Sequence, residues 1–242
     1  MRFYHPFSPS DIKAVAFDLD DTLYDNEPII ERAVNGLADY LREHFPIAGQ
    51  KSAAEWFVIK KRLCQQDHRL ISDVSKLRYL SLLEGLQEDV PDRLAREQAA
   101  QQCYDMFYHL RSDFSVDENV CSTLARLAKL RPIAAITNGN ANLDQIGLGD
   151  TFSVVLHASS DNIRKPHRDM FDKCASQLGI RPSQILHVGD NMENDVLGGK
   201  RAGCKTAWLA VNRPMNLINE AVTCLPDLVL DDLSELESLF GR

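Results

Sequence analysis

No stretch of the 242-residue chain is long and apolar enough to span a bilayer. The opening MRFYHPFSPSD also lacks the extended apolar core of a signal peptide, which predicts a cytoplasmic protein. The six cysteines (Cys64, Cys103, Cys121, Cys174, Cys204, Cys224) fall singly, with no CxxC pair. That spacing argues against a zinc site or a disulfide framework and fits reduced, mostly buried thiols. His157, His167 and His187 are likewise far apart and form no metal-type motif. Positive charge is in deficit: 27 Lys and Arg stand against 35 Asp and Glu, a formal net charge of -8. A nucleic-acid backbone is therefore a poor partner, and a small anionic substrate needs local cations. There is no internal repeat, no low-complexity tract and no feature that calls for an obligate protein partner. What remains, 44% hydrophobic and 26% charged residues, is an ordinary globular composition. Its length suits one domain with an insertion, or two small domains.

One stretch stands apart. AFDLDDTL, from Ala16 to Leu23, sets Asp18, Asp20 and Asp21 within four positions, directly after the apolar run Ala14-Val15-Ala16-Phe17. Like charges repel, and burying an unpaired one is costly. Either this strand end is solvated, or a cation belongs beside it.

The strand leading there is brief, roughly residues 12–18. Between about Asn26 and His109 only helical periodicity follows. Ile30, Ala33, Val34, Leu37 and Leu41 mark one buried helix face, and Ala99, Cys103, Met106, Phe107 and Leu110 another. Leu77, Leu80 and Leu83 mark a third, with a fourth segment from Trp56 to Leu63. HFPIAGQ and EDVPD supply breaks between them, so this section reads as a bundle of about four helices. After about Asp113 the apolar runs PIAAIT, SVVLHAS, QILHVGD, KTAWLAV and DLVL alternate with helical stretches at 118–130, 167–179 and 193–202. Alternation of this kind predicts an α/β, Rossmann-like parallel sheet covered on both faces. The first strand has no sheet of its own and must join the later one. The expected division is therefore a core of residues 1–24 and 113–242, with residues 25–112 inserted as a helical bundle.

Open parallel sheets bind ligands beyond the carboxyl ends of their strands. Here those ends carry Asp18, then Thr137-Asn138-Gly139, then Asp190 with Asp195 five residues on. Lys165 lies in a loop just before a helix. Taken singly, each has a bland reading: Asp190 as a turn residue or cap, TNGN as a turn, Lys165 as a solvated lysine. Taken together, the bland readings leave several like charges unneutralised at one sheet edge. A set of hard oxygen ligands without histidine points to Mg²⁺ as the cation. His187, inside ILHVGD, reads as a packing histidine.

DLDDT fits a DxDx[TV] signature, and Thr137, Lys165 and GDNMEND follow it in order. On these residues the chain resembles the haloacid dehalogenase-like hydrolase superfamily, in the branch with a helical cap after the first motif. Within that branch it is similar to bacterial phosphatases acting on flavin mononucleotide and on the phosphorylated ribitylaminouracil intermediate of riboflavin synthesis. The resemblance implies a phosphatase of small phosphorylated metabolites with Asp18 as nucleophile. It makes Asp20 the acid that protonates the leaving alkoxide and then the base that activates water. Asp18, the Asp20 main-chain carbonyl and Asp190 are the implied Mg²⁺ ligands, with Asp195 orienting metal-bound water or Lys165. Thr137, the Asn138 amide and Lys165 are the implied phosphate contacts. Asp21 is expected to be structural, capping or solvated. In the cap, Arg69, Lys76 and Arg78 are candidate substrate cations or a solvated face. Trp56 and Phe57 are either flavin-stacking residues or cap core. The rival functions are a dehalogenase, which needs no proton for its halide and so no Asp20, a phosphomutase, and a non-catalytic metabolite-binding protein.

Overall fold

The computed structural model describes residues 1–241. Its alternating segments form a 7-stranded sheet of β1 (Arg2–Phe3), β2 (Ala14–Phe17), β3 (Ile133–Thr137), β4 (Val154–His157), β5 (Ile185–Gly189), β6 (Lys205–Trp208) and β7 (Leu228–Val229). The spatial order is β1-β7-β6-β5-β2-β3-β4, and every pairing is parallel except that of β1 with β7. Although β3 begins only at Ile133, β2 sits between β3 and β5, with Val15 opposite both Ile133 and Leu186. A four-residue strand buried on both faces cannot satisfy its backbone alone, so it pairs with the later strands.

Alternation along the strands sorts side chains into two cores. Val15, Phe17, Ile133 and Ala135 face one, closed by Leu124 and Leu127 of α5 (Glu118–Leu130) and by Leu236 and Leu239 of α8 (Glu235–Phe240). Ala16, Ala134 and Ile136 face the other, closed by Met170, Phe171 and Cys174 of α6 (Asp169–Gln177) and by Ala202 of α7 (Gly198–Ala202). A π-helical turn over Met192–Leu197 leads into α7, so the stretch expected as one helix over 193–202 changes winding midway.

Between β2 and β3 lie α1 (Glu27–His44), α2 (Ala53–Gln66), α3 (Val74–Gly85) and α4 (Arg93–Arg111). Local chemistry sets their starts. Pro28 and Glu27 open α1. Ser52 and Glu55 form a capping box on α2, and Asp92 caps α4. These helices share a separate core built on Ala33, Leu37, Leu82, Leu86, Cys103 and Phe107. The buried face of α1 runs through Ile29, Ala33, Leu37 and Leu41, one position off the expected Ile30 and Val34, and Val34 is 44% exposed. On α3 the enclosed leucine is Leu82 rather than the expected 77-80-83 stripe, because α3 packs against both α2 and α4. One strand expectation also shifts: DLVL contracts to the two residues of β7. The strand β1 is not expected from the sequence, being too short for any period-two signal. All six cysteines are free thiols, three of them buried.

Candidate active site

The site forms where β2, β3 and β5 end side by side. Asp18 follows β2, and its amide donates to the Val188 carbonyl at 2.8 Å, which keeps the strand register one residue past the strand. Lys165 enters from the loop after β4 and is 1% exposed. Its ammonium donates to Asp18 Oδ1 at 2.7 Å, to Asp195 Oδ1 at 2.6 Å and to the Ile136 carbonyl at 2.8 Å. All three of its N–H groups are thereby committed. The resemblance implies that Lys165 holds phosphoryl oxygens; its ammonium stands directly beside Asp18, the implied nucleophile.

Asn138 has a side-chain role beside its main-chain amide. Its side chain locks Lys165 in place, accepting from the Lys165 amide at 2.8 Å and donating to the Lys165 carbonyl at 3.0 Å. Thr137 accepts from the Gly139 amide at 2.9 Å. A β-carbon at Gly139 would collide with the Asp20 carboxylate, so only glycine lets the β3 loop approach the β2 loop this closely.

Asp195 is buried and fully engaged. Oδ1 meets Lys165 and His187 Nε2, the latter at 2.9 Å, and Oδ2 accepts from the Asn191 amide at 3.0 Å. Burial alone would raise its pKa, but Lys165 and His187 outweigh that and hold it at about 2. His187 is therefore more than the packing residue its strand position implies: it anchors Asp195 while its ring stands edge-on to Phe171. Burial lowers its own pKa, which favours the neutral ring.

Carboxylate oxygens of Asp18, Asp190 and Asp195 lie within 4.8 Å of one another. Burial pushes Asp18 well above the usual carboxylate range, and Asp195 adds to this although Lys165 pulls the other way. Asp190 is raised to about 6, first by burial and then by Asp195, against the pull of Arg213. One lysine and one arginine thus leave this cluster short of positive charge. The donor set fits a hard divalent cation. Because both oxygens of Asp195 are engaged within the protein, the free oxygens are Asp18 Oδ2 and Asp190 Oδ1. The side chain of Asp20 is not part of this cluster.

Instead Asp20 turns toward the helical block. Its Oδ1 accepts from Tyr24 Oη at 2.7 Å and from the guanidinium of Arg111, the last residue of α4. Arg111 is 2% exposed, and its Nη1 has no hydrogen-bond partner among the described residues. Sequence reasoning missed Arg111, since it ends an amphipathic helix where basic residues are common caps. It also missed Arg213, which donates to Asp190 Oδ2 and to the Asp190 carbonyl, both at 2.9 Å. Arg213 belongs to a loop without secondary structure, and nothing in its local pattern ties it to Asp190. Asp21 is structural: at φ 63° it accepts from the Asn26 amide at 2.9 Å and starts the turn into α1.

The helical block touches this edge elsewhere too. Asp73 caps α3 through Oδ1, while its Oδ2 accepts from the Ser160 amide and hydroxyl at 3.0 and 2.7 Å. Ser75 accepts from Asn140 Nδ2 at 3.0 Å. Of the candidate cations in the block, Arg69 and Lys76 are exposed, whereas Arg78 lies over the Phe107 ring. Trp56 packs in the block's core and Phe57 is 64% exposed. Among the described residues no helix is long and apolar enough to cross a membrane.

Known proteins resemble this chain over nearly its whole length. The chain is 32% identical over 239 residues to the 5-amino-6-(5-phospho-D-ribitylamino)uracil phosphatase YigB of Escherichia coli (strain K12), covering 99% of this chain and all of that protein. It is 28% identical over 246 residues to the phosphoglycolate phosphatase of the same strain, covering 96% and 93% of the two chains. A solved 2-haloacid dehalogenase from Pseudomonas syringae pv. Tomato DC3000 superposes with a TM-score of 0.86 at 33% identity, over 96% of this chain and 99% of that one. The haloacid dehalogenase-like hydrolase family itself matches residues 12–203, from the foot of β2 past the Asp190–Asp195 segment. With the site standing at the strand ends of that matched region, the chain belongs to the haloacid dehalogenase-like hydrolases.

Proposed function

We propose that this protein is a Mg²⁺-dependent phosphatase of small phosphate monoesters that works through a phosphoryl ester on Asp18. The observation that carries the reading is the pair Asp18 and Asp20, two residues apart, in opposite surroundings. Asp18 faces Lys165 and the carboxylate cluster, while Asp20 faces Tyr24 and Arg111. Such a split gives one carboxylate the nucleophile's work and the other the proton's.

Asp18 attacks phosphorus through a carboxylate oxygen, and the bond to the leaving oxygen breaks. Asp20 gives that oxygen its proton, then takes one from the water that releases phosphate from Asp18. Positioned proton transfer of this kind contributes about 10²- to 10⁴-fold in rate. Arg111 and Tyr24 hold the Asp20 carboxylate through both steps. Thr137 and the main-chain amide of Asn138 stand at the next strand end as donors to phosphoryl oxygens. Lys165, braced by Asn138 and Asp195, keeps Asp18 in line. Asp18, Asp190 and the main-chain carbonyl of Asp20 are the groups to hold Mg²⁺, which when bound supplies charge neutralisation between nucleophile and phosphate.

The kinship with YigB supports the phosphorylated ribitylaminouracil, or flavin mononucleotide, as substrate. The deciding experiment is phosphate release across a panel of these two esters, phosphoglycolate, nucleotides and sugar phosphates, with excess Mg²⁺. A clear preference for the ribityl phosphates, lost on chelation, is the expected result. Equal turnover across the panel would remove the substrate assignment, and no turnover by folded protein would remove the phosphatase reading. The structural likeness to a 2-haloacid dehalogenase makes halide release from 2-chloropropanoate the matching control. Halide leaves without a proton, so that reaction has no use for an Asp20 held by two donors.

A further inference from the structure

Between α1, α2 and α3 the helical block forms a half-open cavity of about 360 Å³, lined only by residues of the block. None of the groups around Asp18 belongs to it. One wall is apolar, formed by Leu37, Leu41 and the Trp56 side chain. The rest of the lining carries four cations. Arg42 and Lys51 are neutralised by Asp39 and Glu88. Lys60 and Arg78 have no carboxylate acting on either of them among the described residues.

Arg78 is largely enclosed: the Phe107 ring lies 3.5 Å from the guanidinium, and Tyr104 and the like charge of Arg111 act on it. Lys60 is half-buried on the neighbouring helix, and the two like charges oppose each other. Burial pushes Arg78 down to about 10 and lowers Lys60 as well. An aromatic face attracts a cation but does not neutralise it. In a chain with a net charge of -8, two uncompensated cations at one cavity are not a by-product of excess base. The volume is at the small end of the range that metabolite-sized ligands fill.

We propose that this cavity is a second binding site, for a small organic anion with a flat apolar body: the anionic group between Lys60 and Arg78, the body against Trp56. The site lies on a direct route to the catalytic edge. Phe107 and Arg111 are one helical turn apart on α4, and Arg111 holds Asp20. An anion that draws Arg78 off the Phe107 ring therefore acts on the helix that positions Asp20.

The test is calorimetric titration of the full chain with naphthalene-1-sulfonate, which has no phosphoester to hydrolyse. Saturable 1:1 binding is expected, weakened at least fivefold by Lys60→Gln and at least tenfold by Arg78→Met, and changed less than twofold by Asp18→Asn. Lys60 is half-exposed, so its substitution leaves the fold intact and decides the matter even where Arg78→Met unfolds. No binding at millimolar probe would overturn the proposal. Equal affinity in wild type and Lys60→Gln would overturn it too, as would a loss that follows Asp18→Asn. The readout is binding, so failure of the phosphatase reading leaves each outcome interpretable.

Discussion

The sheet edge and the helical block each gather charge of one sign, but they hold it in different ways. At the sheet edge Asp18, Asp190 and Asp195 cluster, Lys165 bridges Asp18 and Asp195, and every donor of that lysine has an acceptor at 2.6 to 2.8 Å. Asp18 and Asp190 directly follow strands whose mutual spacing the sheet hydrogen bonds fix, and Lys165 and Asp195 are bonded in beside them. In the block, Lys60 and Arg78 reach a cavity from helix faces on long side chains, without an ion-pair partner between them. Fixed donors in a water-poor setting suit a reaction, where charge must be met at a defined point. Flexible cations beside an apolar wall suit recognition, where a range of shapes can be accommodated. Arg111 bridges the two regions, since it is rooted in α4 and ends on Asp20.

The comparison breaks first at Asp18. Asp18→Asn removes the nucleophile and is expected to lower kcat by at least about 10⁴-fold with the circular-dichroism spectrum unchanged. Residual activity near one tenth of wild type would show that the sheet edge is not where the chemistry happens. The next effect is at the bridge. Arg111→Met is expected to cut kcat/KM for an alkyl phosphate by about 10²-fold, because that leaving group needs the proton Asp20 supplies. For p-nitrophenyl phosphate, whose leaving group needs little help, the loss should be only a few-fold. Equal losses on both would reduce Arg111 to a packing role and sever the block from the chemistry. Asp190→Asn follows, with an expected rise of at least tenfold in the Mg²⁺ concentration that gives half-maximal activity. An unchanged Mg²⁺ titration would remove Asp190 from the metal's ligands.

How much of this was readable beforehand follows from the same contrast. Asp18, Thr137, Lys165, Asp190 and Asp195 each follow a strand or precede a helix, so position along the chain predicts position at the sheet edge. The parallel sheet and the helical interruption were legible for the same reason, being carried by periodicity. The partners that tune the edge were not. Arg111 lies 91 residues from Asp20 and Arg213 lies 23 from Asp190. No local rule specifies either pairing. His187 does pack as expected, buried against Phe171, but a strand position gives no sign that its ring nitrogen meets Asp195. In the block the helices were legible, and α1 buries the expected Ala33, Leu37 and Leu41, but which face turns inward depends on neighbours on two sides: Val34 turns outward, and on α3 Leu82 is enclosed more fully than Leu77, Leu80 or Leu83.

The smallest effect sharpens the division inside the block itself. Arg69, Lys76 and Arg78 belong to one basic stretch, and sequence alone gives no reason to rank them. Arg69 lies on the surface, where its Nε and Nη2 donate to the two oxygens of Asp67 at 2.9 and 2.8 Å. That pairing holds Asp67 at about 2 and closes the short turn ahead of α3. Arg69 is thus neutralised within its own turn, and solvent screens what remains. Arg78, nine residues on, is enclosed and has no carboxylate. Arg69→Gln should therefore leave kcat, KM and naphthalene-1-sulfonate affinity within twofold of wild type. A tenfold rise in KM for the preferred phosphate ester would place the exposed face of the block against substrate. The contrast between enclosed and solvated cations would then no longer separate binding residues from surface ones.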